Sequence, residues 1–323
     1  MCIICNTNYP DNLTSLDCES CPNIKFLPFH LRKLKYLNIS NTNIKFIPPT
    51  YYKLKYLNIE NNKKIVSIPD ILQNLETLIC KNSNITTLSD RFYNLKYLDC
   101  SNTKIYKLSK NYIKLITLKC QYCNITILPK NYSKLVHLDC RSNNIYLIPR
   151  TYKNLEYLNC SKNNIKYISY VFNNLYYLNI SYNNIKELPE YYTKLKELNI
   201  SKTYIKYIPN TYISLKVLKC YYNNIYRFPL ELTNLIHIYP PYLKKYHINF
   251  YIKYIHSTKL PNKLKNYINN NYGVCSICLE DLVNDDHKNI VIINKCNHHF
   301  HKKCIFEWFI TNLQCPNCRI NIF

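Results

Sequence analysis

Three consecutive stretches of the chain are near copies of one another: "LEYLNCSKNNIKYISYVFNN" (155–174), "LYYLNISYNNIKELPEYYTK" (175–194) and "LKELNISKTYIKYIPNTYIS" (195–214). A period of 20 constrains the fold more than any other feature, because a unit that short cannot bury its own apolar face and must stack on its neighbours. The leading leucine recurs at Leu13, Leu34, Leu54, Leu75, Leu95, Leu115, Leu135, Leu155, Leu175, Leu195 and Leu215, with a degenerate start at Leu235. Two intervals are 21 residues, the extra residue falling near Pro22 and near Lys64. The array takes in residues 1–238 as about 11 units of 20–21 residues.

Each unit reads L-x-x-L-x-[IC]-x-x-[NTSC]-x-I-x-x-[IL]-[PS]. In the unit that starts at Leu155, Leu158 and Cys160 alternate with Tyr157 and Asn159, the pattern of a short strand with one buried face. Strands of successive units are expected to pair in parallel. The ninth position, Asn163 here, must turn inward and satisfy backbone groups of the coil. Its equivalents Thr42, Asn62, Ser83, Thr103, Asn143, Asn183, Thr203 and Asn223 all carry hydrogen-bonding side chains, with Cys21 and Cys123 as weaker donors in the same slot. Ile165, Ile168 and Phe172 fill the core behind the strand. Proline is frequent at the fifteenth position (Pro48, Pro129, Pro149, Pro189, Pro209, Pro229) and favours an extended turn there. So short a unit leaves no room for a full convex helix.

This pattern resembles the leucine-rich repeat. The resemblance implies a parallel-β solenoid of short units, with the outward strand positions forming a concave surface where partners bind. Tyr36, Tyr56, Tyr97, Tyr157 and Tyr177 share the third position, interrupted by Thr77, Thr117 and His137. The fifth position supplies Asp99 and Asp139 among a column of asparagines. These tyrosines and the two aspartates are the candidates for a face that recruits an unknown protein substrate, since tyrosine brings contact area at low entropy cost and keeps a hydrogen-bonding end. The plainer reading is that the chain uses tyrosine everywhere, 34 times.

The repeat also accounts for most of the 17 cysteines. Cys18, Cys80, Cys100, Cys120, Cys140, Cys160 and Cys220 occupy the sixth position, where Ile39, Ile59, Ile180 and Ile200 stand in other units, so they are read as core hydrophobes. Cys2, Cys5, Cys18 and Cys21 mimic a four-cysteine metal site, but the last two fall on inward ladder positions. The sequons at Asn38, Asn179 and Asn199 are by-products of the repeat.

The pattern fails after Ile238. Pro240 and Pro241 end the last coil, the apolar spacing through residues 239–255 suits a C-terminal cap, and 256–272 reads as a basic linker. The net charge of +24 is unevenly spread: residues 273–323 carry five basic and five acidic side chains, 239–272 carry six lysines and no acid, and 1–238 carry the rest. Lysines scattered over every unit, with no arginine cluster, speak against nucleic acid as a partner. No stretch is long and apolar enough to span a membrane, and the N-terminus lacks a signal-peptide pattern. The expected location is the cytoplasm or nucleus, or the host cytoplasm for a viral chain, where the cysteines stay reduced.

From Cys275 the spacing changes character: Cys275-x2-Cys278-x17-Cys296-x1-His298-x2-His301-x2-Cys304-x10-Cys315-x2-Cys318. Eight ligands make two four-coordinate sites, and a segment this short has too little core to fold without such staples. The order and gaps resemble the RING-H2 zinc finger, placed at 273–323. The resemblance implies two structural zinc ions in a cross-brace, one on Cys275, Cys278, His301 and Cys304, the other on Cys296, His298, Cys315 and Cys318. Four protein ligands close a zinc, which argues against metal-centred hydrolysis. His299 is left over, expected to face solvent or sit behind the ligands, and Phe300 is expected in the small core.

In RING ubiquitin ligases an apolar residue between the first two cysteines, a tryptophan four residues after the sixth ligand and a proline after the seventh form a groove for a ubiquitin-conjugating enzyme. The matching residues here are Ile277, Trp308 and Pro316. Arg319 follows the last ligand, where many members carry a basic residue that positions the enzyme's ubiquitin thioester. The resemblance therefore implies a RING-type ubiquitin ligase without a nucleophile of its own, working with a ubiquitin-conjugating enzyme that carries ubiquitin. A non-enzymatic adaptor with a structural zinc domain is the alternative.

Overall fold

The computed structural model describes residues 9–223 continuously, then 225, 229, 231, 232, 234, 235 and 237–239, and in the C-terminal segment 275–278, 290–293, 296, 298–312 and 314–320. The expected cap and linker, and the Cys2 and Cys5 pair, lie outside the described residues apart from Tyr239.

Each repeat contributes one three-residue strand, from β1 (Ser15–Asp17) to β12 (His237–Tyr239), and the twelve form a single parallel sheet in sequence order. The register keeps equivalent positions together: Leu138 sits beside Leu158, and Leu158 beside Leu178. Leu218 pairs with Ile238, so the degenerate start at Leu235 does form a coil, and the sheet runs one residue past the boundary read at Ile238. The central leucines and sixth-position residues are buried completely or nearly so, and one continuous core runs from Leu16 to Leu232. Cys80, Cys100, Cys120, Cys140 and Cys160 lie fully buried in that core, and burial pushes the thiols of Cys80, Cys120, Cys140 and Cys160 up, which leaves them inert as nucleophiles.

Two features of the coil were not visible in the pattern. The eighth residue of every unit from Ser20 to Tyr222 is left-handed, with φ between 54° and 60°. With a single glycine in the chain, ordinary residues take a conformation that costs about 1–2 kcal/mol. The same residue's N–H compensates by donating to the next coil, as Lys162 does to Ser181 O at 2.8 Å and Lys202 to Tyr221 O at 2.8 Å. The second feature is on the convex side, where Tyr152 donates its phenol to Pro129 O at 2.6 Å and Tyr212 to Pro189 O at 2.6 Å. An aromatic ring expected only as core filler also satisfies a carbonyl of the preceding turn.

The inward ladder at the ninth position is as expected. Asn163 donates to Cys140 O at 3.0 Å and to Cys160 O at 3.1 Å and accepts from Ile145 N at 2.9 Å. Cys123 fills the same slot with a longer-reaching sulfur, donating to Cys100 O at 3.0 Å. No helix occurs among the described residues of the repeats, which are joined on the convex side by tight turns.

The C-terminal segment is built separately. β13 (Ile290–Ile293) pairs antiparallel with β14 (His298–His301), and α1 (Lys302–Thr311) follows directly. Val291, Ile293, Phe300, Ile305 and Phe309 form a small core together with Cys275 and Cys315. No helix among the described residues is long and apolar enough to cross a membrane.

Candidate functional site

The small core explains where the metal ligands sit. Phe300, fully buried, anchors β14, so His298 and His301 at the two ends of that strand are carried to opposite ends of the hairpin. α1 begins at Lys302, which brings Cys304 on its first turn beside His301. Two clusters result: Cys275, Cys278, His301 and Cys304, and Cys296, His298, Cys315 and Cys318, with the ligand atoms of each cluster within 4.8 Å of one another. These are the two sets that the family pattern implied, and His299 belongs to neither. His299 is half-buried, and burial lowers its imidazole from the usual value.

The donor chemistry suits a soft divalent cation. In the first cluster the Cys278 thiol lies 3.1 Å from His301 Nδ1, and in the second Cys315 lies 3.4 Å from His298 Nδ1. Burial raises the thiol of Cys296 to about 11 and that of Cys304 to about 12, with neighbouring thiols adding to both effects. At Cys275 burial acts upward but is outweighed by backbone N–H groups of Cys278, His301 and Ile277, which hold the thiol down at about 7. Crowded thiols that resist ionising together are what a metal ion reverses, by taking up the thiolate charge. Each set of three sulfurs and one imidazole nitrogen matches a closed tetrahedral zinc site.

Around the clusters, Ile277 and Trp308 pack against the small core and remain half-buried, and Trp308 Nε1 donates to Gln314 O at 2.9 Å. Pro316 is half-buried on the following turn. Arg319 is exposed and left-handed, with φ 56°, and its N–H donates to Cys315 O at 2.9 Å to close that turn.

On the concave face the tyrosines and the aspartates part company. Tyr36 stacks on Tyr56 at 4.4 Å, and His137, Tyr157 and Tyr177 make a continuous stack with centroids 4.0 and 4.3 Å apart. All five candidate tyrosines are half-buried. Asp99 and Asp139 are only 6% and 8% exposed. Asp99 Oδ1 accepts from Ser101 N at 3.1 Å and from Ser101 Oγ, and Asp139 Oδ1 accepts from Arg141 N at 3.3 Å. The outward strand position predicts both as open contact residues. The structure gives their carboxylates to the turn after the strand, because the fifth side chain is the one within reach of the backbone two residues on.

Comparison with known proteins agrees with this division. The ring finger domain family matches residues 273–319, and the leucine-rich repeat family matches 53–75. The C-terminal segment is 43% identical over 49 residues to an Arabidopsis thaliana protein described as a RING-H2 finger protein, covering 15% of this chain and 28% of that one. It is 40% identical over 60 residues to the Drosophila melanogaster E3 ubiquitin-protein ligase Godzilla, covering 18% and 11%. The chain thus spans less than a third of the length of these curated relatives. Among solved structures, the functional domain of InlJ from Listeria monocytogenes, which includes a cysteine ladder, has a TM-score of 0.67 at 26% identity over 70% of this chain and 53% of that one. A leucine-rich-repeat protein of Leptospira interrogans has a TM-score of 0.68 at 20% identity over 77% and 72%. The chain therefore joins a leucine-rich-repeat solenoid to a RING-H2 finger with two metal-binding clusters.

Proposed function

We propose that the protein is a RING-type ubiquitin ligase whose solenoid recruits a protein substrate and whose finger binds a ubiquitin-conjugating enzyme. The observation that carries this reading is the half-exposed pair Ile277 and Trp308 on the small core, with half-buried Pro316 two residues after the Gln314 carbonyl that accepts from Trp308, at the positions that make the enzyme groove in similar fingers. Two zinc ions would act as structural staples, holding the turns that bear Ile277 and Pro316 beside the helix that bears Trp308. No covalent step is assigned to this chain: the conjugating enzyme carries the thioester, a substrate lysine attacks it, and the finger's share is orientation. Arg319 has the exposure and the fixed backbone to donate from its guanidinium to carbonyls of both ubiquitin and enzyme, favouring the attack-ready arrangement. The free thiols buried through the solenoid fit a reducing compartment such as the cytoplasm.

The test is ubiquitin-chain formation with the full chain and a panel of conjugating enzymes. Ile277→Ala combined with Trp308→Ala is expected to lower chain formation by at least about tenfold, as loss of an apolar hot spot does, with metal content unchanged. Arg319→Ala should slow transfer while leaving capture of the conjugating enzyme intact. Activity that ignores the double substitution removes the groove, and no activity with any enzyme of the panel favours the adaptor.

A further inference from the structure

We infer that the rim of the solenoid formed by Lys162, Tyr182, Lys202 and Tyr222 takes an extended acidic polypeptide segment. This names the substrate chemistry for the solenoid and rests on the reading of it as the recruiting part.

All four residues occupy the left-handed eighth position, at the edge where the strands leave the concave face. In the first units that position holds asparagines that satisfy one another: Asn61 donates to Asn41 Oδ1 at 2.7 Å, Asn82 to Asn61 Oδ1 at 2.9 Å and Asn102 to Asn82 Oδ1 at 2.7 Å. The amide ladder ends at Asn102, Tyr122 and Ser142 follow, and from Lys162 onward the position alternates ammonium groups and rings. Lys162 Nζ lies 5.5 Å from the Tyr182 centroid, and Lys202 Nζ lies 4.8 Å from both Tyr182 and Tyr222. Lys162 and Lys202 are exposed, and among the described residues no carboxylate forms an ion pair with either. The flanking seventh positions Ser161, Ser181 and Ser201 are small and uncharged. The result is a line of positive charge that the described residues leave unneutralised. The rings hold the lysine stems in place, so binding sacrifices less side-chain freedom.

The spacing selects the partner. Neighbouring coils are about 4.8 Å apart, so lysines two coils apart are about 10 Å apart, and residues three apart in an extended polyproline-II segment share one face at about 9 Å. A segment of that kind running along the solenoid axis, with a carboxylate at every third residue, would meet both ammonium groups in turn. Single-stranded nucleic acid fits less well. Tyr182 has an ammonium from the coil before and another from the coil after, so its ring does not offer the open face that base stacking needs.

The test is fluorescence anisotropy on the full chain with a labelled Glu-Gly-Ser repeat peptide of about twelve residues, its Gln-Gly-Ser counterpart and an oligouridylate of similar length. Lys162→Asn with Lys202→Asn installs the residue that earlier units carry at this position, and asparagine tolerates the left-handed backbone, so the fold is retained. Lys25→Asn with Lys45→Asn removes the same charge from exposed sites on another part of the coil. The rim pair should weaken the Glu peptide by about tenfold or more while the control pair stays near wild type, and the Gln peptide should bind poorly throughout. Equal loss in both pairs would reduce the effect to bulk charge. Oligouridylate binding more tightly than the Glu peptide, and lost with the rim pair, would make nucleic acid the occupant and overturn the proposal. Chain formation assayed separately on the rim variant should match wild type, so a failure of the ligase reading and a failure of the rim leave different signatures.

Discussion

Replacing Asn163 by alanine is expected to destabilise the central coils by about 2–5 kcal/mol, and the origin can be traced atom by atom. The side chain is 7% exposed, so water does not substitute for it. Its loss removes a donor from three carbonyls, but none is orphaned: Cys140 O still accepts from Asn143 at 3.0 Å, Cys160 O from Asn183 at 2.9 Å and Ser161 O from Ser142 N at 2.9 Å. These losses, shared between the two hydrogens of one amide, are worth about 1–2 kcal/mol together. The Ile145 N–H, which donates to Asn163 Oδ1 at 2.9 Å, is left buried without that acceptor, at about 1–3 kcal/mol. Asn163→Thr should recover part of this, because Thr203 in the same slot donates to Ile200 O at 2.7 Å, but a threonine hydroxyl does not bridge to the previous coil's N–H. The expected order of stability is wild type, then Thr, then Ala, with Asn164→Ala as an exposed neighbouring control near wild type. Urea titration followed by circular dichroism measures the order, and hydrogen exchange at the Ile145 amide tests its cause, which matters because repeat arrays need not unfold in one step. If Ile145 exchanged no faster in Ala than in wild type, the assignment of the cost to that N–H would be wrong, and if Asn163→Thr and Asn163→Ala were equal, the donor that threonine restores to Cys160 O would contribute nothing.

Asp139 offers a pH test. Burial raises its carboxyl above the usual value, against the opposing pull of Arg141, so folding favours the protonated form, and stability from this group is present at low pH and lost as pH rises through the folded value. Asp139→Asn should therefore raise the urea midpoint at neutral pH and lose that advantage at pH values below the ordinary carboxyl value of 3.8. Asn159 already makes the equivalent bond to Ser161 N, so the turn itself is kept. A constant difference across the pH range would refute the burial argument. Metal removal can be read through the sole tryptophan, Trp308, which reports the finger alone, while circular dichroism is dominated by the repeats. A strong chelator should red-shift Trp308 emission and leave the solenoid spectrum in place, and two equivalents of zinc should restore the emission. Emission unmoved by chelation would show that the finger folds on its small core alone.

The sequence by itself determined the positions whose residue type recurs, though not the left-handed backbone at the eighth position of each unit. The inward leucines, the sixth-position cysteines, the ninth-position donors and the metal ligands could be placed because each must recur at a fixed spacing for a coil to close or a metal to be surrounded. What it left open are properties that depend on which atom a side chain reaches. The same tyrosine letter is a carbonyl donor in the core at Tyr152, half of a stack at Tyr157 and a ring between two ammonium groups at Tyr182. Asp99 and Asp139 fall on an outward strand position, yet their carboxylates turn back to the chain, because a backbone N–H two residues away is nearer than any partner. Only stacking the coils about 4.8 Å apart brings equivalent side chains into contact, and that contact decides whether a column of residues satisfies itself, as the asparagines do, or remains charged and open, as Lys162 and Lys202 do.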